Sequence, residues 1–253
     1  MYEMARRRLS HRIRTAALVG AIALLCATSA PNARADAGSQ RRAAEAVVTT
    51  YTRAIADMGR HLADADRAGT AYVRSTENAC PGVLDPVDAL GSGQVNLKAS
   101  TLIGDEVNDD ITNAMFLPLN QIMAKPYVES IRRLPWTGPY AMLRNAAIAV
   151  LNAGMQPEGS ALCTDLRTFA TNPLAEPPGT AAYFTRLDAQ TDNAYVTLRT
   201  FDRTLESLIT PGQRAQYLKA AKTSLAIENE LNGPEDTLYK ELGTKLGLLS
   251  GKP

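Results

Sequence analysis

Histidine is nearly missing from this chain. It has two in 253 residues, His11 and His61. A carboxylate di-iron bundle needs paired Glu-x-x-His motifs, covalent haem needs Cys-x-x-Cys-His, and a zinc cluster needs four Cys or His ligands; none of these patterns occurs. The hydrolase elbow G-x-S-x-G is absent. So is a dinucleotide fingerprint, and "GLLSGKP" at 247–253 has the wrong spacing for a phosphate loop. No cofactor is expected, and catalysis has no motif behind it. Neither charge is in excess, with 27 basic against 26 acidic residues. A nucleic-acid partner would want a clustered basic surface, and anionic lipid a polybasic patch; beyond residue 35 neither is present. Aromatic residues make up 6% of the chain, and alternating strand-like runs are nearly absent. Internal repeats are also lacking.

The start of the chain carries an address. Arg6, Arg7, Arg8, Arg12 and Arg14 precede an uncharged, mostly apolar run from Thr15 to Ala30. Ala33-Arg34-Ala35 then places small residues where an export peptidase reads them. This is the three-part pattern of a secretory signal peptide over residues 1–35, cut after Ala35. The alternative is an uncleaved anchor, but the run falls short of the roughly 18 apolar residues a spanning helix needs. Arg6-Arg7-Arg8-Leu9-Ser10 loosely matches a twin-arginine signal, so the export route stays open. Cys26 follows Leu25, not the small residue of a lipoprotein site. Residues 1–35 hold six of the 27 basic and one of the 26 acidic residues, leaving 21 and 25, a net charge of −4 on residues 36–253. No stable membrane span is expected after cleavage.

Residues 36–253 keep two cysteines, Cys80 before Pro81-Gly82 and Cys163 after a Pro-Glu-Gly-Ser turn. In an oxidising compartment a lone pair of thiols becomes a disulfide, so a structural Cys80–Cys163 bridge is expected. A redox pair would want Cys-x-x-Cys spacing.

The rest reads as helix. From Tyr51 a narrow seam runs Tyr51, Ile55, Met58, Leu62, Ala65, Gly69, Tyr72, in steps of four and three. It predicts one helix over about Ser39–Thr76. Ile103, Val107, Ile111 and Ala114 or Met115 mark a second, about Gln94–Arg133, which Pro118 and Pro126 should bend or split. "LPWTGP" at 134–139 is a turn. A third helix covers about Pro139–Ala153, with Tyr140, Leu143, Ala147, Val150 and Leu151 inward, and a short one about Ser160–Thr171. "TNPLAEPPGT" at 171–180 is a long connection. Phe184, Leu187, Thr191, Ala194, Leu198, Phe201, Leu205 and Leu208 repeat at three and four over a helix from about Thr180 to Ile209. Thr210 should cap the next, with Pro211 at its first position. That helix should end at Gly233-Pro234, leaving a short one at about Glu235–Leu246. The expectation is an all-α antiparallel bundle of four or five main helices plus short ones, in a single domain over 36–253.

Three places invite a functional reading. His61 has Asp57 four residues before it and Asp64 three after, which on one helix would flank it with carboxylates for general-base or ligand work. The plainer reading is a surface polar cluster. "GDEVNDD" at 104–110 pairs Asp105 with Asp109 and Glu106 with Asp110. Such pairs could ligate a hard cation such as calcium, but the expected role is a solvated rim. Gly69, Tyr72 and the only tryptophan, Trp136, could line a pocket between helices, although a lone Trp is ordinarily packing.

The leading expectation is an exported, non-catalytic bundle that acts in the cell envelope or outside it by binding or interaction, with a protein or small apolar ligand as partner. One alternative is a carrier for a small apolar ligand, or for haem held by His61 or a methionine. Another is an enzyme of unrecognised type using His61 with Asp57. In its alanine- and arginine-rich composition the chain resembles exported proteins of GC-rich bacteria; no motif ties it to a family.

Overall fold

The computed structural model describes residues 36–80, 97–156, 162–172 and 180–248. The leader at 1–35, the stretch at 81–96, residues 173–179 of the long connection and the tail beyond Leu248 lie outside these. The described residues are predominantly helical, with no strand among them. The helices are α1 (Ala37–Gly59), α2 (Leu62–Ala79), α3 (Leu97–Arg132), α4 (Gly138–Ala153), α5 (Leu162–Thr171), α6 (Thr180–Glu206) and α7 (Pro211–Lys245). The all-α bundle is what the three-four spacing of apolar residues dictates, since each stripe must be buried against a neighbour's.

The helices divide between two compact units. Unit 1 takes residues 36–62, 117–156 and 189–229. Unit 2 takes 63–80, 97–116, 162–172, 180–188 and 230–248. α3, α6 and α7 therefore supply residues to both.

In unit 1, α1 buries Val47, Val48, Tyr51, Ile55 and Met58. Asp36 caps it, its carboxylate accepting from the Gly38 amide at 3.2 Å. α3 contributes Leu119, Met123, Tyr127 and Ile131, and α6 contributes Leu198, Phe201 and Leu205. Trp136 is buried, its ring 5.4 Å from that of Phe201 and 6.0 Å from that of Tyr140.

In unit 2, the α2 seam of Ala65, Gly69 and Val73 meets Ile103, Val107, Ile111 and Met115 of α3 in the core, with Leu238 and Leu242 of α7. Cys80, just past α2, is disulfide-bonded to Cys163 near the start of α5, with Cα atoms 5.6 Å apart across 83 residues of sequence. The expected bridge is present.

Two expectations are corrected, and of the two alternatives for α3 the split is excluded. The helix expected over Ser39–Thr76 is two, broken at Arg60–His61. The Arg60 and His61 amides turn back to the carbonyls of Asp57 and Met58 at 3.0 Å each, tightening the last turn after Gly59. Glycine is a poor helix former; a Cβ there would sit 3.4 Å from Ile227 of α7, so that neighbour comes close. Conversely, α3 runs unbroken through Pro118 and Pro126, and α7 runs through Pro234 to Lys245. A proline forfeits one helical hydrogen bond, but buried anchors stand on both sides of each: Met115 and Leu119, Ala124 and Val128, Leu231 and Leu238. Packing outweighs the lost bond.

Candidate functional site

His61 lies in the two-residue break between α1 and α2, where its side chain is exposed. Asp57 belongs to α1 and is ion-paired with Arg60; Asp64 belongs to α2 and is ion-paired with Arg67. Asp57 and Asp64 thus stand on two different helices, with His61 in the break between them. Met58 points the other way, into the core.

Tyr72 is half-buried in unit 2, and its hydroxyl donates to Asp110 Oδ2 at 2.6 Å. Burial and the neighbouring Asp110 carboxylate push its phenol well above the ordinary range. The acidic run is not a solvated rim: Glu106, Asp109 and Asp110 are buried, Asp109 with 2% of its surface exposed. The reason is packing on several sides of α3. Tyr72 of α2 and Tyr239 of α7 both come against it, and a Cβ on Gly104 would lie 3.1 Å from the Tyr239 hydroxyl. Thr112 donates to Glu235 of α7 in the same region. Among the described residues no group of three or more His, Cys, Asp or Glu side chains is placed to hold a metal ion.

Gly69 offers no vacancy. A Cβ there would stand 2.6 Å from Met115 Cγ and 2.8 Å from Leu238 Cδ1, so those two side chains fill the space the missing Cβ leaves. Gly69 and Tyr72 lie in unit 2 and Trp136 in unit 1.

Two features have no counterpart in the sequence reading. The first is a polar cluster inside unit 1. The Tyr217 hydroxyl donates to Asp202 Oδ1 at 2.7 Å and lies 3.0 Å from the Tyr127 hydroxyl. The Tyr51 ring sits 4.9 Å from the rings of both Tyr127 and Tyr217. All four residues are buried. Burial, aided by the nearby Glu206 carboxylate and opposed by the Tyr217 hydrogen bond, lifts the Asp202 carboxyl from 3.8 to about 7. It also raises the phenols of Tyr51, Tyr127 and Tyr217. One signal was present: nine tyrosines against four phenylalanines. A core that prefers tyrosine must find partners for its hydroxyls.

The second is the outer face of α4. Of its 16 residues only Ala147 and Leu151 are fully buried. Tyr140, Leu143 and Val150, expected inward, are half-buried. Met142, Ala146, Ala149 and Ala153 form an exposed stripe in steps of four, three and four, with Met142 74% exposed. The one ionisable cation of α4, Arg144, is turned back onto the Leu134 carbonyl at 2.7 Å. The stripe is thus uncharged. Among the described residues no helix is long and apolar enough to cross a membrane. No family model matches the chain, and neither the curated proteins nor the solved structures yield a match to it.

Proposed function

We propose that this chain is an exported, non-catalytic bundle, of bacterial type, that acts by docking a partner protein on the outer face of α4. Export is supported by the three-part leader at residues 1–35 and by a disulfide, which belongs to oxidising compartments. The observation that carries the binding reading is the Met142-Ala146-Ala149-Ala153 stripe. A 16-residue helix is about 24 Å long, and a continuous uncharged, apolar stripe along it is the kind of surface another helix can cover. The chemistry of the stripe selects the occupant. Alanines let another backbone approach closely, a methionine adapts its shape, and the absence of charge favours an equally uncharged helical surface over nucleic acid or anionic lipid.

The carrier and enzyme readings have less behind them. Met115 and Leu238 occupy the space at Gly69, Asp110 engages Tyr72, and Phe201 and Tyr140 flank Trp136. Asp57 is committed to Arg60 and His61 stands on an exposed turn.

A photo-crosslinking residue at Ala149, introduced into the full chain in its own host, tests the docking face. One discrete adduct is expected from position 149, none from the exposed Lys222 on α7, and loss of the adduct on adding Met142→Glu. Met142→Glu should leave the unfolding midpoint within about 0.5 kcal/mol of wild type, as exposed substitutions do. Equal labelling at 149 and 222 would defeat the proposal, and an adduct of two copies of this chain would replace the partner with self-association. A haem absorbance band in protein purified from a haem-supplied host would favour the carrier reading.

A further inference from the structure

We infer that Asp202 is a proton-operated fastener of unit 1: as the neutral acid it holds α1, α3, α6 and α7 together, and on ionising it loosens them. The inference is independent of the docking face on α4.

The geometry carries it. Asp202 sits on α6 with 8% of its surface exposed, and groups from α1, α3 and α7 gather around it. Tyr217 of α7 donates to its Oδ1, Tyr127 of α3 lies behind Tyr217, and Tyr51 of α1 closes the cluster with its ring. Arg199 and Arg203 neighbour it on α6, and the charge that bears on its carboxyl is another carboxylate, Glu206, one turn on and itself held by Arg214 of α7 at 2.8 Å. Among the described residues the group bonded to Asp202 is a phenol, and the charge that raises its carboxyl has the same sign.

Phenols can serve both forms of the acid, but not equally. When Asp202 is protonated, its carbonyl oxygen still accepts from Tyr217, so the hydrogen bond survives and no charge is buried. When it is ionised, a full negative charge stands in an apolar cluster with phenol hydroxyls for solvation, and burying a charge without a cation is costly. The Tyr217 bond returns part of that cost, and the burial and Glu206 outweigh it.

The linkage has a definite sign. The folded-state value of about 7 lies above the unfolded 3.8. Between these the folded chain keeps a proton that the unfolded chain has lost. The stabilisation is complete below about pH 4 and is lost as pH rises through about 7. Over that window the unfolding equilibrium constant should rise by as much as about a thousandfold on account of this one group. The usual carboxylate, held ionised by a partner, gives the opposite slope.

The test is chemical unfolding of the disulfide-intact chain at a series of pH values from about 4.5 to 8, followed by Trp136 fluorescence, which reports on unit 1. Wild type should lose stability toward the alkaline end. Asp202→Asn keeps the shape and the acceptor for Tyr217 but cannot ionise, so its profile should be flatter by the Asp202 contribution. Parallel profiles would overturn the inference. Should Asp202→Asn fail to fold, carbon-13 titration of wild type with the Asp202 carboxyl assigned decides: Asp202 titrating near neutrality supports the fastener, and Asp202 titrating in the ordinary acidic range overturns it.

Discussion

At single residues, this core is decided by what is left out as much as by what is put in. Gly69 sits in the middle of α2, where alanine is the better helix former by roughly 1 kcal/mol. Propensity alone would make Gly69→Ala stabilising. The space says otherwise: the new Cβ would approach Met115 Cγ to 2.6 Å, Leu238 Cδ1 to 2.8 Å and Met115 Sδ to 3.0 Å. Met115 is fully buried, so it has little room to retreat. Overpacking a core costs about 1–3 kcal/mol, which exceeds the gain in propensity. Gly69→Ala is therefore expected to lower stability by about 1 kcal/mol in a denaturant titration. Gly212, near the start of α7 with nothing within 4 Å of its would-be Cβ, is the control. Gly212→Ala should raise stability by a few tenths to about 1 kcal/mol. If both variants gained stability alike, the close approach at Gly69 would carry no energetic weight.

Among the elements, the start of α7 shows a local signal obeyed in full. Thr210 Oγ1 accepts from the Gln213 amide at 3.3 Å, and Gln213 Oε1 accepts from the Thr210 amide at 2.9 Å. This is the reciprocal capping box, with Pro211 at the first helical position. Thr210→Ala removes one side of it and is expected to cost about 1 kcal/mol, whereas Thr210→Ser should cost much less. Equal losses would show that the cap contributes through packing rather than through the hydroxyl. Such short-range signals, together with the three-four spacing of Tyr51 to Tyr72 and Leu198 to Leu205, made the helices and their inward stripes legible in the sequence. The breaks were less so. Gly59 and Pro234 both weaken a helix, but one sits at a break and the other does not, and the difference is made by tertiary anchors far away in the chain. The outer face of α4 was not legible, because the helix is apolar nearly all round and such a helix does not announce which side is covered. The Asp202 cluster was out of reach for a related reason. Its members stand at 51, 127, 202 and 217, on four helices, and no local spacing reveals that they converge.

For the whole molecule, the question is whether two compact units make one cooperative fold. The covalent arrangement argues that they do. α3, α6 and α7 pass residues to both units, so melting the unit 2 part of any of them frays a helix whose other part belongs to unit 1. A helix shortened in this way loses hydrogen bonds at the new end. The two available handles lie apart: the disulfide belongs to unit 2, and the sole tryptophan is buried in unit 1. Replacing both cysteines by alanine releases a closure of 83 residues, worth about 4 kcal/mol in the chain-entropy picture. For a chain of this size each 1 kcal/mol moves the melting temperature by roughly 2–4 °C. Cooperative unfolding then requires Trp136 fluorescence and far-UV circular dichroism to fall together by roughly 10 °C in the Cys80→Ala, Cys163→Ala variant. Should the Trp136 midpoint stay fixed while circular dichroism resolves an earlier step, the units unfold separately and the shared helices do not couple them. The same experiment repeated across pH separates the two devices, since removing the disulfide should shift the whole curve and leave the slope from Asp202 in place.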